Sequence, residues 1–221
     1  MKINNKNTKK IDCKDIDTLA KIIIERFPRD HCEKDAYKVL ITTILSQRSR
    51  DENTEVASKQ LFEKYPNVES IANAKPEELY ELIKPAGLYR EKAERIIIVS
   101  KILLEKYDGV VPNKLEELLE LPGVGRKTAN IVLHVSFDQA ALAVDTHVHR
   151  ISNRLGWVKT KTPEQTEEEL KKIMSPQLWG PINGSMVEFG KNICKPISPR
   201  CEQCFLTECC DFFKNKYNSK T

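Results

Sequence analysis

An all-α fold is what the sequence predicts, on three observations. Apolar side chains recur every three or four positions in one segment after another. Leu, Lys, Glu, Ile and Ala dominate the long segments, and only 8 glycines occur in 221 residues. The elements follow in order. Residues 15–27, DIDTLAKIIIERF, show the helical spacing first, and Pro28 closes them. AYKVLITTILSQ (36–47) is apolar on most sides and predicts a buried helix. Shorter amphipathic helices are predicted over 51–64, 68–73 and 76–84, bounded by cap or turn residues such as Pro66, Asn67 and Pro76. The chain breaks at Gly87 and then predicts a long helix to about Tyr107. Two helices flank LPGVGRKTAN (121–130). AALAV (140–144) fits a strand, but five residues are too few to decide. A helix from Thr146 to about Leu155 comes next. PEQTEEELKK (163–172) reads as an exposed acidic helix start, and a last helix spans about 181–194.

Composition narrows the function classes. Charged residues make up 31% and hydrophobic ones 40%, which excludes a disordered chain and suits a well-cored one. A net charge of +4 and a pI near 8.6 permit a polyanionic partner without demanding one. No apolar run reaches the length of a membrane-spanning helix, so no membrane partner is expected. The N-terminus, MKINNKNTKK, lacks the apolar core of a signal peptide and predicts an intracellular, cytoplasmic protein. In a reducing compartment structural disulfides are not expected, so the 7 cysteines need another explanation. The abundance of Lys and Glu fits a heat-adapted source.

Within 121–130, Pro122, Gly123 and Gly125 interrupt good helical sequence, and Arg126 and Lys127 follow at once. A short Gly-x-Gly turn between two helices leaves free backbone N–H groups at the second helix start. With the positive end of the helix dipole they form a phosphate site. Such a contact positions a duplex without reading its bases. On the glycines alone, a Gly-terminated helix with a tight turn would explain the pattern as well.

Lys127 falls in the first turn of the second helix. An amine attacks only when neutral, and the helix N-terminus, Arg126 and partial burial would all push its pKa below the roughly 10.4 of a free lysine. So placed, it could attack C1′ of a deoxyribose, displace the base and form a Schiff base, and the acidified C2′ proton would then permit β-elimination. A lysine that merely touches phosphate is the plainer alternative. Asp145, in AVDTHVHR, stands where an N-cap belongs, and the same carboxylate could stabilise positive charge developing on a sugar. His134, His147 and His149 lack metal-ligand spacing and read as structural or peripheral.

Five cysteines crowd ICKPISPRCEQCFLTECC. Cys194, Cys201 and Cys204 are spaced x6 and x2, and either Cys209 or Cys210 completes a set of four. Thiolates this close suggest a metal or a cluster, and CEQC is also half of an ordinary zinc site. Spacing alone leaves both open. Lys195 and Arg200 lie on the Pro-containing loop between the first two cysteines, as phosphate contacts or as solvated charges. Cys13 and Cys32 read as isolated small core residues.

LPGVG resembles the hairpin of the helix-hairpin-helix DNA-binding families. Together with RKTAN, VDTHV and C-x6-C-x2-C-x5-C, it resembles a narrower group, the DNA glycosylases of the endonuclease III family, over roughly residues 30–212. The resemblance implies two helical domains with a DNA-binding groove between them. One is a six-helix barrel over 30–139 containing the hairpin. The other is discontinuous, 1–29 with 140–221, and carries a [4Fe-4S] cluster. Lys127 and Asp145 would face each other across the groove as the catalytic pair, and Gly123, Val124, Gly125 and Arg126 would hold phosphate. The cluster signature selects Cys194, Cys201, Cys204 and Cys210, with a structural role, and leaves Cys209 spare. A base inside a duplex must be rotated out and its place filled. ILSQRSRD (44–51) and GLYREKA (87–93) resemble the wedge elements, and Leu88 matches the apolar wedge. Common family members read LSxQ where this chain reads LSQR, so Gln47 or Arg48 is the polar filler. The function so implied is base-excision repair by a monomer acting on damaged double-stranded DNA. It would remove an oxidised pyrimidine as a glycosylase and cut the abasic site as an AP lyase. Two rivals stand beside it. One is a monofunctional mismatch, uracil or thymine glycosylase, against which Lys127 argues, since such relatives commonly carry Tyr or Ser there. The other is a non-enzymatic iron-sulfur DNA-binding module, against which the pairing of Lys127 with Asp145 argues.

Overall fold

The computed structural model describes residues 12–29 and 32–218, and every regular element among them is helical. Helix α1 (Ile16–Arg26) is followed by α2 (Ala36–Ser46), α3 (Asp51–Lys64), α4 (Val68–Ala72), α5 (Pro76–Ile83), α6 (Tyr89–Tyr107), α7 (Leu115–Leu119) and α8 (Arg126–Phe137). The chain continues through α9 (Thr146–Leu155), α10 (Pro163–Ile173), α11 (Trp179–Asn192) and α12 (Asp211–Asn218). It divides into two compact units, His31–Ala143 and a second made of Met1–Asp30 with Val144–Thr221. Among the described residues no helix is long and apolar enough to cross a membrane.

The unit His31–Ala143 is built around α2, which packs on α3 and α8, while α4 and α5 pack on α6. Leu40, Ile41, Ile44 and Leu45 of α2 are fully buried, as the all-round apolar pattern of this helix requires. Each such side chain contributes about 1.5–3 kcal/mol through burial, so the helix is held by its neighbours rather than by propensity. Side chains set the helix starts. Asp35 accepts from the Lys38 N–H at 2.8 Å, and Asn67 forms a capping box with Ser70. Residues 140–144 form no strand. Ala141, Leu142 and Ala143 are buried, and Asn130 on α8 donates its Nδ2 to the Leu142 carbonyl at 2.9 Å. That hold places the junction between the units after Ala143, four residues beyond the 139/140 boundary expected from the sequence.

In the second unit, α1 packs on α11, and α9 packs on α10, α11 and α12. Asp17 of α1 accepts from the Ser175 N–H at 2.9 Å, and Phe27 and Phe205 both pack against Phe189 of α11, with ring centroids 5.4 Å apart in each pair. Helix α11 starts at Trp179 rather than 181, because Pro181 lies in its first turn, where the missing N–H costs no bond. Helix α12 was not expected from the sequence. Its Asp211 lies against Gly156, the left-handed C-cap of α9 with φ 81°, where a side chain would collide with it.

Two cysteine expectations are corrected. Cys13 and Cys32 are exposed rather than core residues. Cys13 is bonded to Cys209 across 196 residues of sequence, a disulfide where none was expected. Neither cysteine belongs to an apolar helical stripe, which is why burial does not claim them. Closing so long a loop removes unfolded-state entropy worth at most roughly 5 kcal/mol.

Candidate catalytic and DNA-binding site

Two regions carry the candidate residues, one in each unit. In His31–Ala143, α7 runs into the turn 120–125, where Leu121 is buried and its carbonyl accepts from the Val124 N–H at 3.0 Å. Gly123 takes φ 76°, a left-handed angle that favours glycine, and a Cβ there would displace the end of the Arg95 side chain. Val124 is buried and anchors the turn. Gly125 is the N-cap of α8 and provides no side-chain cap. Gly125 thus offers no side chain to the first-turn N–H groups, and Arg126 and Lys127 stand at the same helix end. Lys127 is exposed, so the partial burial expected of its amine is not observed. Its two C-terminal neighbours, Thr128 and Ala129, take the buried face instead.

The predicted wedge residues lie in the same unit. Gln47, the C-cap of α2, donates its Nε2 to the Gly123 carbonyl at 2.8 Å and accepts at Oε1 from Arg95 at 3.2 Å. The glutamine is thus tied to the hairpin, while Arg48 follows in a left-handed conformation with φ 55°. Leu88 is 48% exposed, an uncommon state for leucine, and also left-handed with φ 48°. Gln47, Arg48, Leu88, Glu91, Lys92 and Arg95 line a pocket of about 300 Å³.

In the other unit, Asp145 caps α9. Its Oδ1 accepts from the His147 and Val148 N–H groups at 2.8 and 2.9 Å, and Oδ2 makes no hydrogen bond among the described residues. One oxygen holds the helix start and the other takes no part in the cap. His149 bonds Thr166 at 2.6 Å, a structural role.

Cys194, Cys201, Cys204 and Cys210 are free thiols that line one pocket with Arg154, Phe189 and Phe212. Burial, then the neighbouring cysteines, pushes the Cys204 thiol up to about 11, and burial pushes Cys201 and Cys210 up as well. Thiols raised in this way stay protonated unless a positive centre sits among them, and four cysteines on one pocket are a donor set that fits a metal or an iron-sulfur cluster. Among the described residues no group of three or more Cys, His, Asp or Glu could hold a metal ion, which bears equally on zinc and on a cluster. The Cys13 disulfide takes Cys209 out of competition for the fourth position. Arg154 shapes the loop, donating to the Lys195 and Pro196 carbonyls at 2.7 and 2.8 Å and to Cys194 Sγ at 3.5 Å. Lys195 is half-buried and Arg200 exposed.

Residues 41–176 match the HhH-GPD superfamily of base excision DNA repair proteins. The chain is 66% identical to endonuclease III of Thermotoga maritima over 201 residues, covering 91% of this chain and 94% of that protein. The chain belongs to the endonuclease III family. A solved structure of a trapped endonuclease III–DNA covalent intermediate superposes with a TM-score of 0.85 at 36% identity, covering 94% of this chain and 99% of that one. A thermostable thymine-DNA glycosylase superposes with a TM-score of 0.84 at 25% identity, covering 92% and 97%.

Gly125, Lys127 and Asp145 each stand at a helix start, Gly123 lies in the turn before α8, and the four cysteines line one pocket. Arg95, Lys92 and Arg154 were missed. Lys92 left a signal: it shares the stripe Lys92, Ile96, Val99 and Leu103, all buried on α6. Arg154 left none, because its partners are backbone carbonyls about 40 residues away.

Proposed function

We propose that the protein is a bifunctional DNA glycosylase and AP lyase in which Lys127 and Asp145 do the chemistry. The observation that carries the assignment is the uncapped start of α8, with a lysine exposed at its second position. A phosphate of duplex DNA fits the open N–H groups, and Arg126 adds charge beside it. With the target nucleotide extruded, the Lys127 amine attacks C1′, the C1′–N bond breaks and the base leaves with a proton. Asp145, through the oxygen its helix does not use, stabilises positive charge on the sugar and accepts protons. The C1′–O4′ bond opens as the Schiff base forms, and O4′ takes up a proton. Loss of the C2′ proton then breaks the C3′–O bond, the 3′ phosphate leaves, and water hydrolyses the imine to return the lysine.

Cys194, Cys201, Cys204 and Cys210 would hold a [4Fe-4S] cluster, which when bound cross-links four points of the loop bearing Lys195 and Arg200. These two cations would then meet phosphate from fixed positions. Leu88 and Gln47 would fill the space of the extruded base, with Arg48 at the turn between. The substrate class is an oxidised pyrimidine in double-stranded DNA, and the enzyme acts as a monomer. The likeness to a thymine-DNA glycosylase favours one second reading, base removal without strand cleavage.

Borohydride reduction with an abasic duplex separates the two. A covalent adduct that disappears in Lys127→Ala is the expected result. Base release with no adduct would establish the monofunctional enzyme instead.

A further inference from the structure

Lys92 heads the largest fully buried side chains of the molecule, at 2% exposure. Its Nζ donates to the Leu45 carbonyl at 2.7 Å and to the Ala86 carbonyl at 2.8 Å. An apolar side chain would fill this place without the desolvation cost of an ammonium, so packing alone does not explain a lysine. What the charge does is geometric. Leu45 lies two residues before Gln47, and Ala86 lies two residues before Leu88. One atom therefore grips the ends of both predicted wedge loops, at carbonyls where the helix dipole is negative. Each loop then passes through a left-handed residue that is not glycine, Arg48 in one and Leu88 in the other. One turn along α6, Arg95 grips Gln47, and Gln47 grips the hairpin at Gly123. Burial holds the Lys92 amine down at about 8, still mostly charged at neutral pH.

We propose that Lys92 is a positioning residue for base extrusion, its ammonium locking the Gln47–Arg48 loop to the Leu88 loop so that the two enter the duplex as one body. This rests on the wedge roles given to those loops under the proposed function. Lys92 touches no reacting atom, and its effect passes through the two carbonyls it holds.

The test compares two reactions of the same enzyme under single turnover. One is base excision from a duplex with a single oxidised pyrimidine and an adjacent 2-aminopurine reporting unstacking. The other is incision at a preformed abasic site, where no base has to leave the stack. Lys92→Met is expected to slow excision by about tenfold or more, with matching loss of the fluorescence change, and to slow incision by less than about threefold. In a Leu88→Ala background, Lys92→Met should add less than about twofold, because coupled residues are not additive. Equal losses in both reactions, or full additivity with Leu88→Ala, would overturn the proposal. Should Lys92→Met not fold, Arg95→Leu releases Gln47 while leaving both hydrogen-bond acceptors of the buried amine in place, and the absence of the same split there overturns it too. Normal excision by Leu88→Ala alone would defeat the wedge roles themselves, and with them the lock.

Discussion

Helices α8 and α9 begin in opposite ways. At α9 the Asp145 carboxylate bonds two first-turn N–H groups, and the negative charge suits the dipole. At α8 the cap is a glycine with nothing to offer, and the next two residues are cations, the sign the dipole disfavours there. Both helices bury apolar faces, so packing does not account for the difference. The first start is arranged for the folded chain. The second has no side-chain cap, and under the proposed function it receives a phosphate beside Lys127. On the proposed function, stability and chemistry divide between two helix ends, and substitutions at each can pull them apart.

Lys127→Ala should have the largest effect. Removing a covalent nucleophile is expected to lower base excision and strand cleavage by about a thousandfold or more, with folding intact. Activity within about tenfold of the parent chain would move the chemistry to another residue.

Much of this contrast was legible in the sequence. Hairpin and cap each demand particular residue types at fixed short spacing: a glycine where φ is 76°, a carboxylate one residue before a helix. The same holds for the helices themselves, whose apolar stripes repeat locally. What depends on distant partners was not legible. The Cys13–Cys209 bond joins residues 196 apart, and α12 is too short and too polar for its stripe to stand out. The exposure of Lys127 escaped for a related reason, since a first-turn residue can face either way until its helix is docked. Lys92 alone combined a local signal with a remote partner, and the stripe showed that it is buried without showing what it holds.

Asp145 serves both sides of the comparison, and two substitutions separate them. Asparagine caps about as well as aspartate, so Asp145→Asn should keep stability within about 0.5 kcal/mol while slowing base excision by about a hundredfold. Asp145→Ala should lose activity to a similar extent and, in addition, roughly 1 kcal/mol of stability. Single-turnover rates and denaturant titrations on both variants check this. Equal activity of the Asn variant and the parent would leave Asp145 a cap and nothing more.

A smaller effect is expected at Arg126. If the cations at α8 meet phosphate, Arg126→Gln should weaken binding to undamaged duplex several-fold and reduce the slope of log K against log salt by about 1, without changing preference among sequences. Binding isotherms at several salt concentrations give the slope directly. An unchanged slope would mean that the arginine serves the fold.

The smallest effect has the least intuitive sign. Lys127 stands at the positive end of α8, with no hydrogen bond or ion pair among the described residues to offset it. Removing its charge relieves a repulsion worth about 0.3–1 kcal/mol at an exposed helix end, and alanine is also the better helix former. Lys127→Ala should therefore be more stable than the parent chain by a few tenths of a kcal/mol to about 1 kcal/mol, more at low salt than at high salt. A denaturation midpoint that falls instead would show the lysine to be secured by contacts of its own. The open start of α8 would then be an ordinary structural feature, and the contrast with α9 would lose its functional meaning.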